Sequence, residues 1–300
     1  MQRQKLNRNP ITKIQYTVIH CKFCDSTSVV KCGLTEKGKQ RYRCQTCNRT
    51  FVGIDTPEKM HYSTDVIASA INRFYDAASL NQIKRQIEMD FGVSPSHMSI
   101  YRWVARYGKK AAKRLKDVPI NVADTWVADE TVLNLKSNKG EKVWFFDAID
   151  DETKFLLASH MAETRTTKDA EILMKRAQAR ANSIPKMIVT DKLRSYLDAV
   201  EKAWGADTKH ITTSPFVKGR REDSTRAIER FHGTLKDRTK VIRALADKKS
   251  ARTILDGWLV HYNFFRPHSA LGGKTPAEAA GAQTPYRSWK DVVKDKDSGK

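Results

Sequence analysis

Long hydrophobic runs are missing from this 300-residue chain. No apolar stretch approaches the roughly 18 residues that a membrane-spanning helix requires, and no signal-peptide pattern opens the chain. A soluble, intracellular protein without a membrane partner is therefore expected. With 14 Gly and 9 Pro against 40% hydrophobic and 9% aromatic residues, a collagen-like or wholly disordered chain is excluded. Acid is the scarce sign of charge. Asp and Glu number 34 against 55 Lys and Arg, a net charge of +21, and residues 1–120 alone carry 22 basic against 9 acidic residues. A surplus of this kind fits a polyanion, because each phosphate neutralised by Lys or Arg releases condensed counterions. Cysteine is scarce too. Five form an odd count, which argues against a fully paired disulfide framework and for a reducing compartment.

The cysteines that are present have a telling spacing. Cys21 and Cys24 stand as C-x2-C in HCKFC, Cys44 and Cys47 repeat the pattern in YRCQTCNRTF, and 19 residues separate the pairs. Two such knuckles turn four thiolates toward one point and close a tetrahedron around one structural zinc, replacing a core that some forty residues cannot build. Val29, Val30, Tyr42 and Phe51 can supply the strands of a zinc ribbon over residues 16–54. Cys32 and His20 fall outside this set.

From residue 62 the period becomes helical. Val66, Ile67, Ala70, Ile71, Phe74 and Tyr75 recur at three-to-four spacing, followed by Leu80, Ile83 and Ile87 up to a breaker at Phe91-Gly92. A second start at Val93-Ser94-Pro95-Ser96 opens a helix from Ser96 to Tyr107, with Met98, Ile100, Trp103 and Val104 inward and Ser96, His97, Ser99, Arg102 and Arg106 outward. The pattern predicts a helix-turn-helix over 62–118 whose second helix enters the major groove of DNA. A structural bundle with a solvated basic face is the alternative.

Near Val118-Pro119 the period switches to alternation. TWVADETVLNLK and VWFFDAIDDETKFLLASH read as three strands, with a turn at Asp150, Asp151 and Glu152. Thr167 to Ala181 reads as a helix, PKMIVTD as a buried strand, and Leu193 to Trp204 as a further helix. This order is that of a ribonuclease H-like α/β domain. Within it, Asp129 lies on the first strand, Asp191 at the end of the fourth and Glu229 on a later helix. Glu229, His232 and Lys236 stand at i, i+3 and i+7, so one helical face offers a carboxylate, an imidazole and an ammonium. Carboxylates converging in this way suit two hard divalent cations that drive in-line phosphoryl transfer. Asp147, Asp150 and Asp151 are competing carboxylates, the last two in a turn.

WVADET, IVTD, AIERFHGTLKDRT and HYNFFRPHSALGGKTPAEAAG resemble the integrase-type core of bacterial and archaeal insertion-sequence DDE transposases, relatives of retroviral integrases. With the ribbon and helix-turn-helix, the resemblance covers roughly residues 16 to 281. It implies a mixed five-stranded sheet and an acid triad of Asp129, Asp191 and Glu229 holding two Mg2+ or Mn2+. Lys236 and His232 would support the reaction or position DNA. Double-stranded DNA, as terminal inverted repeats and target, would be the ligand of a homodimer or larger oligomer in a bacterial or archaeal cytoplasm, associated with the nucleoid. The sequence departs from the family at Ser224, Thr225 and Arg226, and its interval of 37 residues between Asp191 and Glu229 is slightly long. The full division expected is a basic arm (1–15), a zinc ribbon (16–54), a helix-turn-helix (62–118), a catalytic core (122–285) and a disordered tail (286–300). A DNA-binding regulator, or a nuclease that never joins strands, would use the same parts.

Overall fold

The computed structural model describes residues 19–36, 38–52, 56–57, 60–134, 142–213, 225–242 and 247–295, with the backbone alone for Asn134, Val241 and Ile242. The expected basic arm, Ser224 and the last five residues lie outside this set. The chain divides into two compact units, 1–63 and 64–300.

The first unit holds a three-stranded antiparallel sheet of β1 (Val29–Leu34), β2 (Gln40–Cys44) and β3 (Thr50–Val52). Tyr42 faces Phe51 across the β2–β3 pair, and their rings stack with centroids 5.7 Å apart. Cys21, Tyr42, Cys44 and Phe51 make up its buried core. A core this small leaves most of the ordering entropy uncompensated by burial, so a cross-link has to hold the unit.

The second unit opens with α1 (Thr64–Tyr75), α2 (Leu80–Phe91) and α3 (His97–Leu115). Ser79 and Gln82 form a capping box that starts α2, and Gly92 ends it at φ +66°, a conformation that costs glycine nothing. Ser96 caps α3 by accepting from the Ser99 N–H at 3.1 Å. The helix runs eight residues past the expected end at Tyr107, because Gly108, Ala111 and Leu115 continue the buried stripe. Met98, expected inward, is 56% exposed. It sits in the first turn, where the stripe formed by Ile100, Trp103 and Val104 faces away from it.

Five strands follow, β4 (Thr125–Asn134), β5 (Lys142–Asp150), β6 (Leu156–Ala162), β7 (Met187–Thr190) and β8 (Lys209–Thr212). With α4 (Thr167–Ala181) and α5 (Arg194–Trp204) as crossovers, they form a mixed sheet in the order β6-β5-β4-β7-β8. The first three pair antiparallel, and β4, β7 and β8 run parallel. The hairpin turn lies at Asp150, as the sequence predicts, with Asp150 accepting from the N–H groups of Ala123 and Thr153. α6 (Arg226–Ile242) buries Ile228, Phe231 and Leu235, and α7 (Lys248–Val260) continues as a five-residue π-helical stretch through Phe265. Buried Asn263 in that stretch pairs with both backbone groups of Leu156 and so ties it to the start of β6. α8 (Pro276–Ala279) and α9 (Trp289–Lys294) complete the unit.

The helices at 64–115 do not stand apart from the sheet-bearing segment. α1 packs on α9 through a stack of Tyr75, His261 and Trp289. Buried Arg238 of α6 lies over the Phe74 ring at 3.7 Å and donates to the Ala78 carbonyl. The expected disordered tail is thus ordered from 286 to 295, because Trp289, Val292 and Val293 are apolar at helical spacing and fill this junction. α3 crosses α7 at Gly108 and Gly257, where a Cβ on Gly257 would come within 1.9 Å of the Tyr75 hydroxyl and 3.0 Å of Gly108 Cα. Gly257→Ala is therefore expected to lower stability by about 1–3 kcal/mol through overpacking. Gly233→Ala, in open space on α6, should raise stability by about 0.5–1 kcal/mol through helix propensity. Denaturant unfolding of the two variants checks both signs.

Candidate functional site

Register decides where the acids fall. β4 and β7 pair in parallel with Thr125 beside Met187, Trp126 beside Ile188 and Val127 beside Val189. Carrying that offset two residues onward sets Asp129 beside Asp191 on one face of the sheet. A carboxylate oxygen of each lies within 4.8 Å of the other and of one from Glu130. Glu130 follows Asp129 on the strand, so alternation starts it toward the other face, where Tyr196 of α5 lies beside its carboxyl. Arg165, stacked over Trp144 at 4.8 Å, pairs with Glu130 and lies 3.7 Å from Asp191. Its guanidinium offsets part of the repulsion among three gathered carboxylates. Burial pushes the Glu130 carboxyl up from its ordinary value against the pull of the Tyr196 hydroxyl and Arg165, and its Oε2 makes no well-formed hydrogen bond among the described residues. A buried carboxylate oxygen without a full partner, next to two others, fits a hard divalent cation.

Glu229 does not join this group. It is exposed in the first turn of α6, where it accepts from Thr225 Oγ1 at 2.8 Å. Lys236 is exposed farther along the same helix. His232, expected beside them as a phosphate contact, is instead 5% exposed and turned to the sheet. Its Nε2 is 3.1 Å from Asp147 Oδ2 and its Nδ1 is 3.5 Å from Asp129 Oδ2. Asp147 is fully buried on β5 and also accepts from Ser159. It therefore stands behind the acid group rather than in it. The sequence signal for this role is the single charge inside the apolar run VWFFDAI.

In the first unit, the sulfurs of Cys21, Cys24, Cys44 and Cys47 all lie within 4.8 Å of one another. Cys21–Cys47 and Cys24–Cys44 separations are both 3.6 Å. That is far beyond a disulfide's roughly 2.05 Å, and it matches the edge of about 3.8 Å that a tetrahedron with Zn–S bonds of about 2.3 Å requires. Asp25 and Asn48, each following the second cysteine of its pair, adopt φ +62° and +56°. Asp and Asn are the side chains that tolerate this left-handed step best. The backbone N–H of Cys47 holds the Cys44 thiol down to about 6, with Thr46 adding to it against burial. The four donors fit zinc.

On α3, His97, Arg102 and Arg106 are exposed and Ser99 is half-buried. The Ser96 hydroxyl is engaged in its cap. No described helix is long and apolar enough to cross a membrane.

Residues 123–268 match the family described as DDE domain, of the IS240 transposase type. No curated protein matches the chain. Among solved structures, the HTLV-2 integrase catalytic core domain in complex with magnesium (trimeric form) is similar at 16% identity over 54% of this chain and 99% of that one, TM-score 0.42. The BIV integrase catalytic core domain is similar at 20% identity over 53% and 93%, TM-score 0.39. The simian T-cell lymphotropic virus intasome in complex with PP2A regulatory subunit B56 gamma follows at 13% identity over 71% and 74%, TM-score 0.41.

Burial lowers the affinity of His232 for a proton, but Asp129 and Asp147 outweigh it and raise its pKa from 6.5 to about 9. The folded state therefore binds this proton more tightly than the unfolded chain. The stability it confers is complete below pH 6.5 and is lost as pH rises through about 9. Unfolding midpoints should accordingly fall across that window in the native chain and fall less in His232→Gln, as denaturant titrations at several pH values would show.

Proposed function

Because residues 123–268 belong to the DDE-domain family of IS240-type transposases, we propose that this chain is an insertion-sequence transposase. It binds the terminal inverted repeats of its element and catalyses DNA cleavage and strand transfer. The observation that carries the proposal is the convergence of Asp129 and Asp191 from two parallel strands. Asp129, Asp191 and Glu229 are its acid triad and would hold two Mg2+ or Mn2+. Bound there, the cations would activate a water or DNA hydroxyl and stabilise the leaving oxygen. Glu229 is one helical turn before His232, which already faces Asp129, so a side-chain reorientation that breaks its contact with Thr225 completes the triad. Glu130 is a further carboxylate at the site, and Arg165 balances the charge until cations arrive. Lys236, exposed two turns beyond Glu229, is placed to meet a DNA phosphate.

DNA recognition falls to α2, the turn and α3 as a helix-turn-helix, with His97, Arg102 and Arg106 as its outward side chains. The four-cysteine unit is a zinc ribbon that adds phosphate or groove contacts. A homodimer or larger assembly follows from the need to hold two element ends together.

A joining assay tests the reading. The full chain, Mg2+, a labelled element end and a target plasmid should give cleaved and joined products. Asp129→Ala, Asp191→Ala and Glu229→Ala should each reduce both by at least about a thousandfold while end binding stays near native. Binding without cleavage would mark a regulator, and cleavage without joining a nuclease. Arg102→Ala should weaken end binding and reduce the salt slope by about one, measured by fluorescence anisotropy from low to physiological salt.

Zinc has its own check. Metal analysis of the purified chain should give about one zinc per molecule, since four thiolates close the coordination shell. Cys44→Ser should lose that zinc and the protease resistance of residues 19–52.

A further inference from the structure

Three polar residues line up across three neighbouring strands. Ser159 on β6 pairs with Asp147 on β5, which pairs with Asp129 on β4, and His232 from α6 lies over the last two. Asp147 is fully buried on β5, where a charge is costly and an apolar pair would pack more cheaply. Both its oxygens are engaged, one by Ser159 and one by His232 Nε2. The only ring nitrogen left then faces Asp129.

We propose that His232, anchored from behind by Asp147, is a positioning residue that orients the Asp129 carboxylate for a divalent cation. This rests on the reading of Asp129 as a cation ligand. With Nε2 held on Asp147, Nδ1 is the nitrogen that presents a donor toward Asp129. The 3.5 Å separation is longer than a tight hydrogen bond, and it leaves the carboxylate room to close on a metal without leaving the imidazole. Partners behind a ligand hold it in this manner in metal sites, and losing one typically weakens binding by about 10- to 100-fold.

Two substitutions separate positioning from packing. Glutamine places its amide near Nε2 and keeps the anchor on Asp147, whereas asparagine places it near Nδ1 and keeps the donor toward Asp129. Mn2+ binding to the full chain, followed by electron paramagnetic resonance, reports on this site because Mn2+ favours oxygen over thiolate ligands. Melting temperatures are measured alongside. His232→Gln should melt above His232→Asn yet bind Mn2+ at least about tenfold more weakly than the native chain, and His232→Asn should melt lower yet bind within about threefold of native. Native affinity in His232→Gln, or affinities that follow melting temperature in both variants, would overturn the proposal. Asp129→Asn distinguishes the two levels. If it binds Mn2+ like the native chain, the cation-ligand reading fails and the proposal with it. If it loses binding while His232→Gln does not, the positioning role alone fails.

Discussion

The parallel pairing of β4 with β7 is the constraint on which the candidate site depends. Its register, Val127 beside Val189, carried two residues onward sets Asp129 beside Asp191. The crossover through β5, β6 and α4 returns the chain to the far edge of β4, and the apolar stretches WVA and MIV bury the pair from both faces. A slip by one residue would turn the acids to opposite faces and dissolve the site. Such a slip would also move Trp126 and Ile188, both fully buried, into the wrong layer, so hydrophobic packing fixes the chemistry.

Around that pair, charge is balanced from two sides. Arg165 reaches from the segment before α4 to Glu130 and Asp191, and His232 reaches from α6 to Asp129. Like charges this close raise the energy of the empty site, and the same repulsion favours a cation once one is present. The arrangement also ties the site to the helices ahead of it. α6 carries His232 on one face and Arg238, over Phe74 of α1, on another, so the helix that touches Asp129 also touches the N-terminal helical segment.

Features governed by local spacing were legible in the sequence. The C-x2-C pairs, the stripes of α1 and α2, the bounds of α4 and the turn at Asp150 all follow from neighbours a few residues apart, and each lies where the pattern places it. Asp129 and Asp191 were legible as strand residues, though their adjacency depends on a crossover of some sixty residues. What the pattern hid depends on long-range packing. Asp147 reads as one more competing carboxylate in an apolar run, and its place behind the acids appears only once β6 and α6 enclose it. His232 shares a helical face with Glu229 and Lys236 by count, yet it turns inward because two carboxylates wait beneath it. The segment KDVVKDK mixes charges like a solvated tail, and its two valines matter only once Trp289 stacks near Tyr75. β8 is four residues long with Ile211 as its single apolar residue, too short for periodicity to mark. Glu229, assigned to the acids by motif, sits apart from them in this structure.

The most direct test of the account is where a bound cation sits. Anomalous diffraction from crystals of the full chain soaked in Mn2+ should place a peak at about 2.1 Å from oxygens of Asp129 and Asp191, a distance typical of small hard cations, with Glu229 drawn toward it. A peak elsewhere, or none at Asp129 and Asp191 when Mn2+ is saturating, would contradict it.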